Sequence, residues 1–435
     1  MKHPTDYYHQ IKDSDIAKRM MSGAFWSFSG TALGKFCVFL MGILCARILG
    51  KEQFGELGMV RSTIGMFIIL GAGGIGVTAT RFISSYRRDQ KNHAASIYRL
   101  SSVFSLFLGV LVTFLLFVSV GFLAEDILQS PRLAFPLTIG CLILFLSILN
   151  SSENGTLAGL EDFRSIALNT FIGSVVESIC MVVGAWLYQI EGAIAGFGIG
   201  VLALYLCNKL SVIKGLRKSG IRTNREPIYK EDWKLIYQYS IPATLSALSV
   251  TPVFWLIRSM LVRSNDYGEL GTFEAADQWK IILLFIPGAI CQIVLPIMSS
   301  ITESRTFRRT LLGNIALIGG IATVLVIISW LLAPIIMLLY GKAFTDYTPF
   351  VFLAISTIPT ALAQILEMTL YSRDKIWTCF GFNIIWGIAT FCFSYLFLRN
   401  NQGASGIALA VLLAYLLKMI CMGGYLFIQQ KGGAK

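Results

Sequence analysis

Long apolar runs recur along the whole length of this chain, and each is roughly 20 residues or more, enough to cross a bilayer as a helix. Only 14% of the residues are charged, against about 25% in a typical soluble domain. No large polar domain remains once the apolar runs are removed. The sequence therefore predicts an all-α integral membrane protein.

We assign twelve membrane spans to these runs. In chain order, spans 1 to 12 are predicted at 21–47, 57–83, 100–123, 135–159, 166–189, 192–212, 236–262, 271–299, 311–338, 348–371, 376–398 and 404–428.

Two internal matches indicate that the chain is duplicated. Residues 54–58 read Phe-Gly-Glu-Leu-Gly and residues 267–271 read Tyr-Gly-Glu-Leu-Gly, at an offset of 213 positions. A Gly, a Val-Leu pair and a Tyr-Leu pair within residues 196–206 recur within 406–416, at an offset of 210. Duplicated halves in a membrane protein are typical of a transporter with its substrate site between them. We therefore expect two pseudo-symmetric six-helix bundles around a central cleft.

The basic loops predict the orientation of the chain. Lys and Arg cluster in the N-terminal tail and in the loops after spans 2, 6 and 8, whereas the opposite loops are short and carry few basic residues. By the positive-inside rule, both termini are expected in the cytoplasm. The N-terminal tail has no apolar core followed by a cleavage site, so we do not expect a cleaved signal peptide.

This pattern gives a predicted domain organisation. Residues 1–212 would form the first bundle, 213–235 a basic cytoplasmic linker and 236–435 the second bundle. The segment 84–99 is open to two interpretations, an amphipathic helix on the inner membrane surface or a solvated loop.

Several function classes are disfavoured by the sequence. The net charge of +12 follows from the basic loops, so we expect no nucleic-acid partner. Nine Cys without a Cys-x-x-Cys and three His confined to polar segments predict no metal site. There is no Walker A loop, nucleotide fingerprint or nucleophile elbow, so we expect no cofactor, no catalytic residue and no ATP-driven transport.

Charged residues inside predicted spans are functional candidates because charge in a bilayer is costly. Lys35 lies near mid-depth, and Arg61, Arg258, Asp277 and Lys280 lie in the outer half. The four basic residues are predicted to line a cationic cleft that suits a diphosphate. Alternatively, Asp277 forms a structural ion pair with Arg258, and the lysines and Arg61 snorkel to the interface.

Two acidic residues are predicted nearer the cytoplasmic side. Glu153 in span 4 and Glu367 in span 10 lie at nearly the same depth. A buried carboxyl can exchange protons, so either could couple ion movement to transport. A hydrogen-bonded packing role is the alternative.

Pro and Gly interrupt several spans, notably Gly71, Gly73, Gly74 and Gly76 in span 2 and four prolines in spans 7 and 8. Bends at these positions could let the cleft open to each side in turn. Static kinks are the alternative.

Residues 46–55, Ala-Arg-Ile-Leu-Gly-Lys-Glu-Gln-Phe-Gly, join spans 1 and 2. Together with Ile241–Pro242, Arg258 and residues 270–276, they resemble the signature of bacterial polysaccharide transporters. These are the O-antigen and capsule-repeat flippases of the multidrug/oligosaccharidyl-lipid/polysaccharide exporter superfamily. The resemblance covers essentially the whole chain. One departure is Ile257, where many relatives have an acidic residue before the arginine.

The resemblance implies an inner-membrane protein that moves an undecaprenyl-diphosphate-linked oligosaccharide to the outer leaflet, with cationic cleft residues on the diphosphate. It also implies membrane lipid as surroundings and a polysaccharide polymerase and chain-length regulator as possible partners. The lipid II flippase branch of the superfamily typically has fourteen spans. The twelve spans predicted here therefore disfavour lipid II as the substrate. The alternatives are a drug/cation antiporter of the same superfamily, which would favour an acidic cleft, and a membrane enzyme of the same pathway, which would carry a large periplasmic loop.

Overall fold

The computed structural model describes residues 15–72, 74–221, 229, 232–234, 239–240, 244, 248, 250–264, 266–301, 303–373 and 375–432. In these ranges the regular structure is helical and no strand occurs. The α-helices are α1 Asp15–Ala72, α2 Ile75–Tyr86, α3 Lys91–Phe122, α4 Ala134–Gly159, α5 Phe163–Lys218, α6 Thr251–Ser264, α7 Tyr267–Leu283, α8 Phe285–Ser300, α9 Ser304–Leu331, α10 Ala333–Leu338, α11 Thr348–Tyr371, α12 Ile376–Arg399 and α13 Gly403–Gly432.

The helices account for the twelve predicted spans. Eight helices of the described chain are long and apolar enough to cross a membrane. Two of the eight, α1 and α5, each carry two predicted spans, so the eight account for ten. Span 8 is divided between α7 and α8, and α6 forms the end of span 7. The prediction of an all-α membrane protein with about twelve spans in two bundles is confirmed.

Two predicted loops are almost entirely helical. Spans 1 and 2 are two helices that meet at a kink at Gly50, whose φ of 76° is a backbone conformation that favours glycine. Spans 5 and 6 meet in the same way at Tyr188 and Gln189, whose backbone angles are not helical. Each of α1 and α5 is therefore a pair of helices separated by only one or two non-helical residues.

Span 2 is broken where its glycines cluster, because α1 ends at Ala72 and α2 begins at Ile75. The segment 84–99 matches neither of its interpretations along its full length. After a turn at residues 87–89, it becomes the first turns of α3 from Lys91. Most of the predicted linker lies outside the described residues, as do Gly73, Ile241 and Pro242, but its first residues extend α5 to Lys218.

In the part of the chain that the structure describes, the largest apolar cluster is shared by both halves at one end of the bundle. We define the junction end as the end that carries residues 47–58 and 263–271, and the terminal end as the opposite one. One continuous apolar cluster joins both halves on the junction side, where Phe54, Leu57 and Ile257 belong to it. On the terminal side, separate clusters lie within residues 79–221, 291–365 and 366–426.

At the terminal end the two halves also touch through span 7. The Thr78 and Ser240 hydroxyls are 2.8 Å apart, and the Tyr239 ring packs on Phe82 with centroids 5.1 Å apart. The backbones also approach closely there, because a Cβ at Gly74 would lie 2.0 Å from the Ser240 carbonyl oxygen.

Candidate functional site

The duplicated pentapeptides pack against each other at the junction end. A Cβ at Gly55 would lie 2.0 Å from the Tyr267 carbonyl oxygen, and a Cβ at Gly271 would lie 2.0 Å from the Lys51 carbonyl oxygen. Only glycine permits an approach this close between two backbones. The repeat therefore forms the contact that closes this end of the cleft.

Polar contacts surround this glycine contact. The Lys51 ammonium lies 3.2 Å from Glu269 Oε1, and Glu269 Oε2 accepts a hydrogen bond from the Ala404 N–H at 2.9 Å. The Tyr267 hydroxyl donates to the Leu128 carbonyl at 2.7 Å. Burial raises the pKa of Tyr267, and the nearby Glu56 charge raises it further, so the hydroxyl remains a donor. Glu269 thus ties the second pentapeptide both to the first half and to span 12.

Spans 2 and 7 are joined beside the glycine contact. Trp255 Nε1 donates to Thr63 Oγ1 at 3.0 Å, and both side chains are buried. A buried indole N–H needs such an acceptor.

Arg258 forms an ion-paired cluster inside the second half. Its Nε donates to Glu274 Oε1, and its Nη2 donates to Asp277 Oδ2 at 3.0 Å. The guanidinium carbon also lies 5.4 Å from the centre of the Phe273 ring. The arginine is 9% exposed and its charge is matched by two carboxylates. The geometry is that of the ion pair named as the alternative for Asp277.

Arg61 is directed into the first half. Its Nη2 lies 3.3 Å from Glu177 Oε1, and its guanidinium carbon lies 4.8 Å from the centre of the Phe197 ring. At the 213 offset of the pentapeptides, Arg61 corresponds to Glu274. The two halves therefore place opposite charges at equivalent positions, and each charge is neutralised within its own half.

Lys280 is deeply buried in the second half. It is 4% exposed, and its Nζ has no hydrogen-bond partner among the described residues. The ammonium lies 4.8 Å from the centre of the Tyr415 ring and 5.6 Å from that of Phe254. Aromatic faces stabilise a cation in the absence of hydrogen bonds.

Lys35 is the exposed member of the predicted cationic set. Its Nζ lies 5.3 Å from the centre of the Phe285 ring, so this face of span 1 is directed at span 8 in the other half. Phe28, two turns earlier, also contacts Phe285, with ring centroids 5.1 Å apart. No carboxylate of the described chain pairs with Lys35 in a salt bridge, which leaves its charge available in the cleft.

Glu153 and Glu367 each pair with a lysine of their own half. Lys209 Nζ lies 2.6 Å from Glu153 Oε1, and Lys418 Nζ lies 3.3 Å from Glu367 Oε2. The Tyr98 hydroxyl accepts a second hydrogen bond from Lys209 at 2.8 Å. Both pairs join the fourth and sixth spans of a half.

The structure does not bring the predicted site residues together in one cluster. Lys35 lies between the halves, whereas Arg61 and Glu153 lie inside the first half and Arg258, Asp277, Lys280 and Glu367 inside the second. Sequence reasoning missed three partners, Glu177, Glu274 and Lys209. Each lies within a predicted span, so a complete list of the ionisable residues in the spans would have found them.

The profile of the family described as "Polysaccharide biosynthesis protein" matches residues 20–302. The EPS I polysaccharide export inner membrane protein EpsE of Ralstonia solanacearum is 22% identical over 413 residues, which is 91% of each chain. The lipid III flippase of Escherichia coli K12 is 19% identical over 338 residues, 75% of this chain and 78% of that protein.

Solved structures share the fold. An inward-facing conformation of a multidrug resistance MATE family transporter of the MOP superfamily superposes with a TM-score of 0.82 at 15% identity, and the match covers 93% of this chain and 98% of that one.

Proposed function

The chain belongs to the polysaccharide biosynthesis protein family, and on that premise we propose that it flips undecaprenyl-diphosphate-linked oligosaccharide repeat units across the bacterial inner membrane by alternating access. The observation that carries the proposal is the family match, together with a polysaccharide export protein and a lipid III flippase that align over most of the chain. A multi-pass helical fold with a cleft between two halves suits a cargo that crosses the bilayer without covalent change.

The terminal end would face the cytoplasm, in agreement with the basic loops. The glycine contact at the junction end would then seal the periplasmic side. Separation of that contact, with closure of the terminal end, would release the glycan outside. The polyprenyl tail would stay in lipid throughout.

Lys35 is the first choice for a contact with the diphosphate. It is exposed, it lies on the span 1 face directed at span 8, and no described carboxylate neutralises it. Lys280 would add a positive potential from within the second half. Arg61 and Arg258 would act mainly by holding their own helices, because carboxylates already match their charges.

The test is complementation of a strain that lacks its own repeat-unit flippase, with equal membrane levels of each variant confirmed. Wild type is expected to restore surface polysaccharide, Lys35→Ala to lose most of it and Lys35→Arg to retain it. Lys35 is preferred to Arg258 for this test, because removing Arg258 leaves two carboxylates unpaired in the interior.

If wild type restores no polysaccharide in the native host, while the lipid-linked repeat still reaches the outer leaflet, the flippase proposal fails. The fold shared with a multidrug transporter would then favour the antiporter. Export of a cationic dye against its gradient distinguishes that activity.

A further inference from the structure

Each half of the duplicated chain has a glutamate–lysine pair, at similar but not aligned positions. Glu153 and Glu367 are 214 positions apart, and Lys209 and Lys418 are 209 apart, close to the offsets of the repeat. Each pair connects the fourth span of its half to the sixth. At the offsets of the repeat, Glu367 corresponds to Asn154 and Lys418 to Asn208. The two pairs are therefore alike in placement only, and the informative feature is how they differ.

The carboxylate of the second half is fully hydrogen-bonded. Glu367 Oε1 accepts from the Tyr371 hydroxyl and from Asn383 Nδ2, both at 3.0 Å, and Oε2 accepts from Lys418 at 3.3 Å. Every oxygen of this carboxylate therefore has a donor among the described residues.

The carboxylate of the first half keeps one oxygen without a donor. Glu153 Oε1 accepts from Lys209, but Oε2 is buried and has no hydrogen-bond partner among the described residues. The Glu153 side chain is 3% exposed. A buried carboxylate oxygen without a donor is costly, and protonation lowers that cost because it cancels the negative charge.

Lys209 connects this carboxylate to solvent. Its side chain is 34% exposed, while it contacts the buried Glu153 on one side and the Tyr98 hydroxyl on the other. Lys209 and Tyr98 are the titratable groups that act on Glu153. From span 2, Thr80 contacts the same helix at the Gly155 carbonyl, and Arg81 is stacked on Tyr239.

We propose that Glu153 Oε2 is a proton-binding site and that the proton it takes is the coupling ion of the transport cycle. This inference rests on the proposed function. A proton from water at the terminal end adds to Oε2, the carboxylate becomes a carboxylic acid, and Lys209 remains an ammonium. The pair changes from neutral to a single positive charge, and the attraction between spans 4 and 6 weakens.

A proton fits this site better than a metal cation. The Lys209 ammonium lies 2.6 Å from the other oxygen of the same carboxylate, so a sodium ion at Oε2 would be held within a few ångströms of a like charge. The proton forms a covalent O–H bond that offsets this repulsion, which a sodium ion cannot do.

The first experiment measures proton binding without transport. Infrared spectra of the purified protein in lipid nanodiscs are recorded across a pH titration, and the C=O stretch of a protonated carboxyl in apolar surroundings is followed. Wild type is expected to show such a band, Glu153→Gln to lose intensity from it, and the matched variant Glu367→Gln to keep it unchanged. A band of equal intensity in wild type and Glu153→Gln overturns the proposal, because any remaining signal then comes from another largely buried carboxyl such as Glu177.

A second variant covers the case in which Glu153→Gln alters the fold. In Lys209→Met the carboxyl has lost its cation, so the same band is expected to persist to higher pH than in wild type. An unchanged titration in this variant also overturns the proposal.

The second experiment measures coupling in vesicles that contain a lipid-linked oligosaccharide. An imposed pH gradient is expected to accelerate flipping by wild type, by a factor in the roughly 5- to 150-fold range of coupling between sites, and to have no effect on Glu153→Gln. A sodium gradient in place of the pH gradient is expected to leave the flipping rate of wild type unchanged.

If Glu153→Gln responds as wild type does, the coupling inference fails and the flippase proposal stands. If wild type does not flip the lipid under any gradient, the flippase proposal fails, and the infrared titration still decides whether Glu153 binds a proton.

Discussion

Substitution of Gly55 by alanine should open the junction end. The new Cβ would lie 2.0 Å from the Tyr267 carbonyl oxygen and 2.8 Å from the Gly271 nitrogen. A relaxed carbon–oxygen contact is about 3.3 Å, so the two backbones must separate by roughly 1.3 Å. The obstacle is main chain in both helices, so no side-chain rotation relieves it.

The magnitude follows from the cost of overpacking. An extra methyl group in a close-packed contact costs about 1–3 kcal/mol, and that cost falls only on the conformation in which the junction end is closed. The ratio of open to closed molecules should therefore rise by roughly 5- to 150-fold. Alanine has a higher helix propensity than glycine, but this does not change the ratio of open to closed molecules, because the backbone at residue 55 is helical in both conformations.

The assay is the distance between two spin labels at exposed junction-end positions, Glu52→Cys and Ser264→Cys, on a background without the native cysteines. Gly55→Ala should add a longer-distance population that is minor in wild type. Gly65→Ala is the matched control, because it lies further along the same helix and a Cβ there meets nothing within 4 Å. Distance distributions that coincide for Gly55→Ala, Gly65→Ala and wild type would refute the reasoning.

Two further predictions concern the polar contacts around this end. Thr63→Val removes the acceptor of the buried Trp255 N–H and should cost about 1–3 kcal/mol, measured as a lower midpoint of thermal unfolding in detergent; Thr63→Ser, which keeps the hydroxyl, should lose less. Glu269→Ala should enlarge the open population more than Lys51→Met does. Both variants remove the partly exposed ion pair, which is worth about 0–1 kcal/mol. Only Glu269→Ala also removes the acceptor of the Ala404 N–H, which adds about 0.5–2 kcal/mol. Equal effects of the two variants in the spin-label assay would contradict the capping role.

The fold could be predicted from the sequence because its signals are local. A run of apolar residues specifies a span whatever it packs against, and the repeated pentapeptide relates spans 1 and 2 to spans 7 and 8. The kinks at Gly50 and Gln189 were not predicted, because the way in which two spans join through a short connection depends on how they cross in space.

The site was less predictable because charge pairing depends on which faces of the helices meet. Arg61 and Arg258 have similar depths in the sequence, yet one is directed at span 5 and the other at span 8. The rotation of each helix about its axis is set by tertiary packing, such as the approach of Gly34 to Ser174. The assignment of spans gives no information on this rotation. The basic residues were therefore grouped by depth, and their carboxylate partners were not identified.

The distribution of the ion pairs also bears on how such a chain is made. The Arg61–Glu177 and Glu153–Lys209 pairs are both complete within the first 221 residues, which precede the second half on the ribosome. The first six spans can therefore leave the insertion machinery with these charges already matched, before any partner helix from the second half exists. What remains for the later encounter of the halves at the junction end is the contact of glycine backbones and the partly exposed Lys51–Glu269 pair, neither of which leaves a fully buried charge unpaired in the lipid.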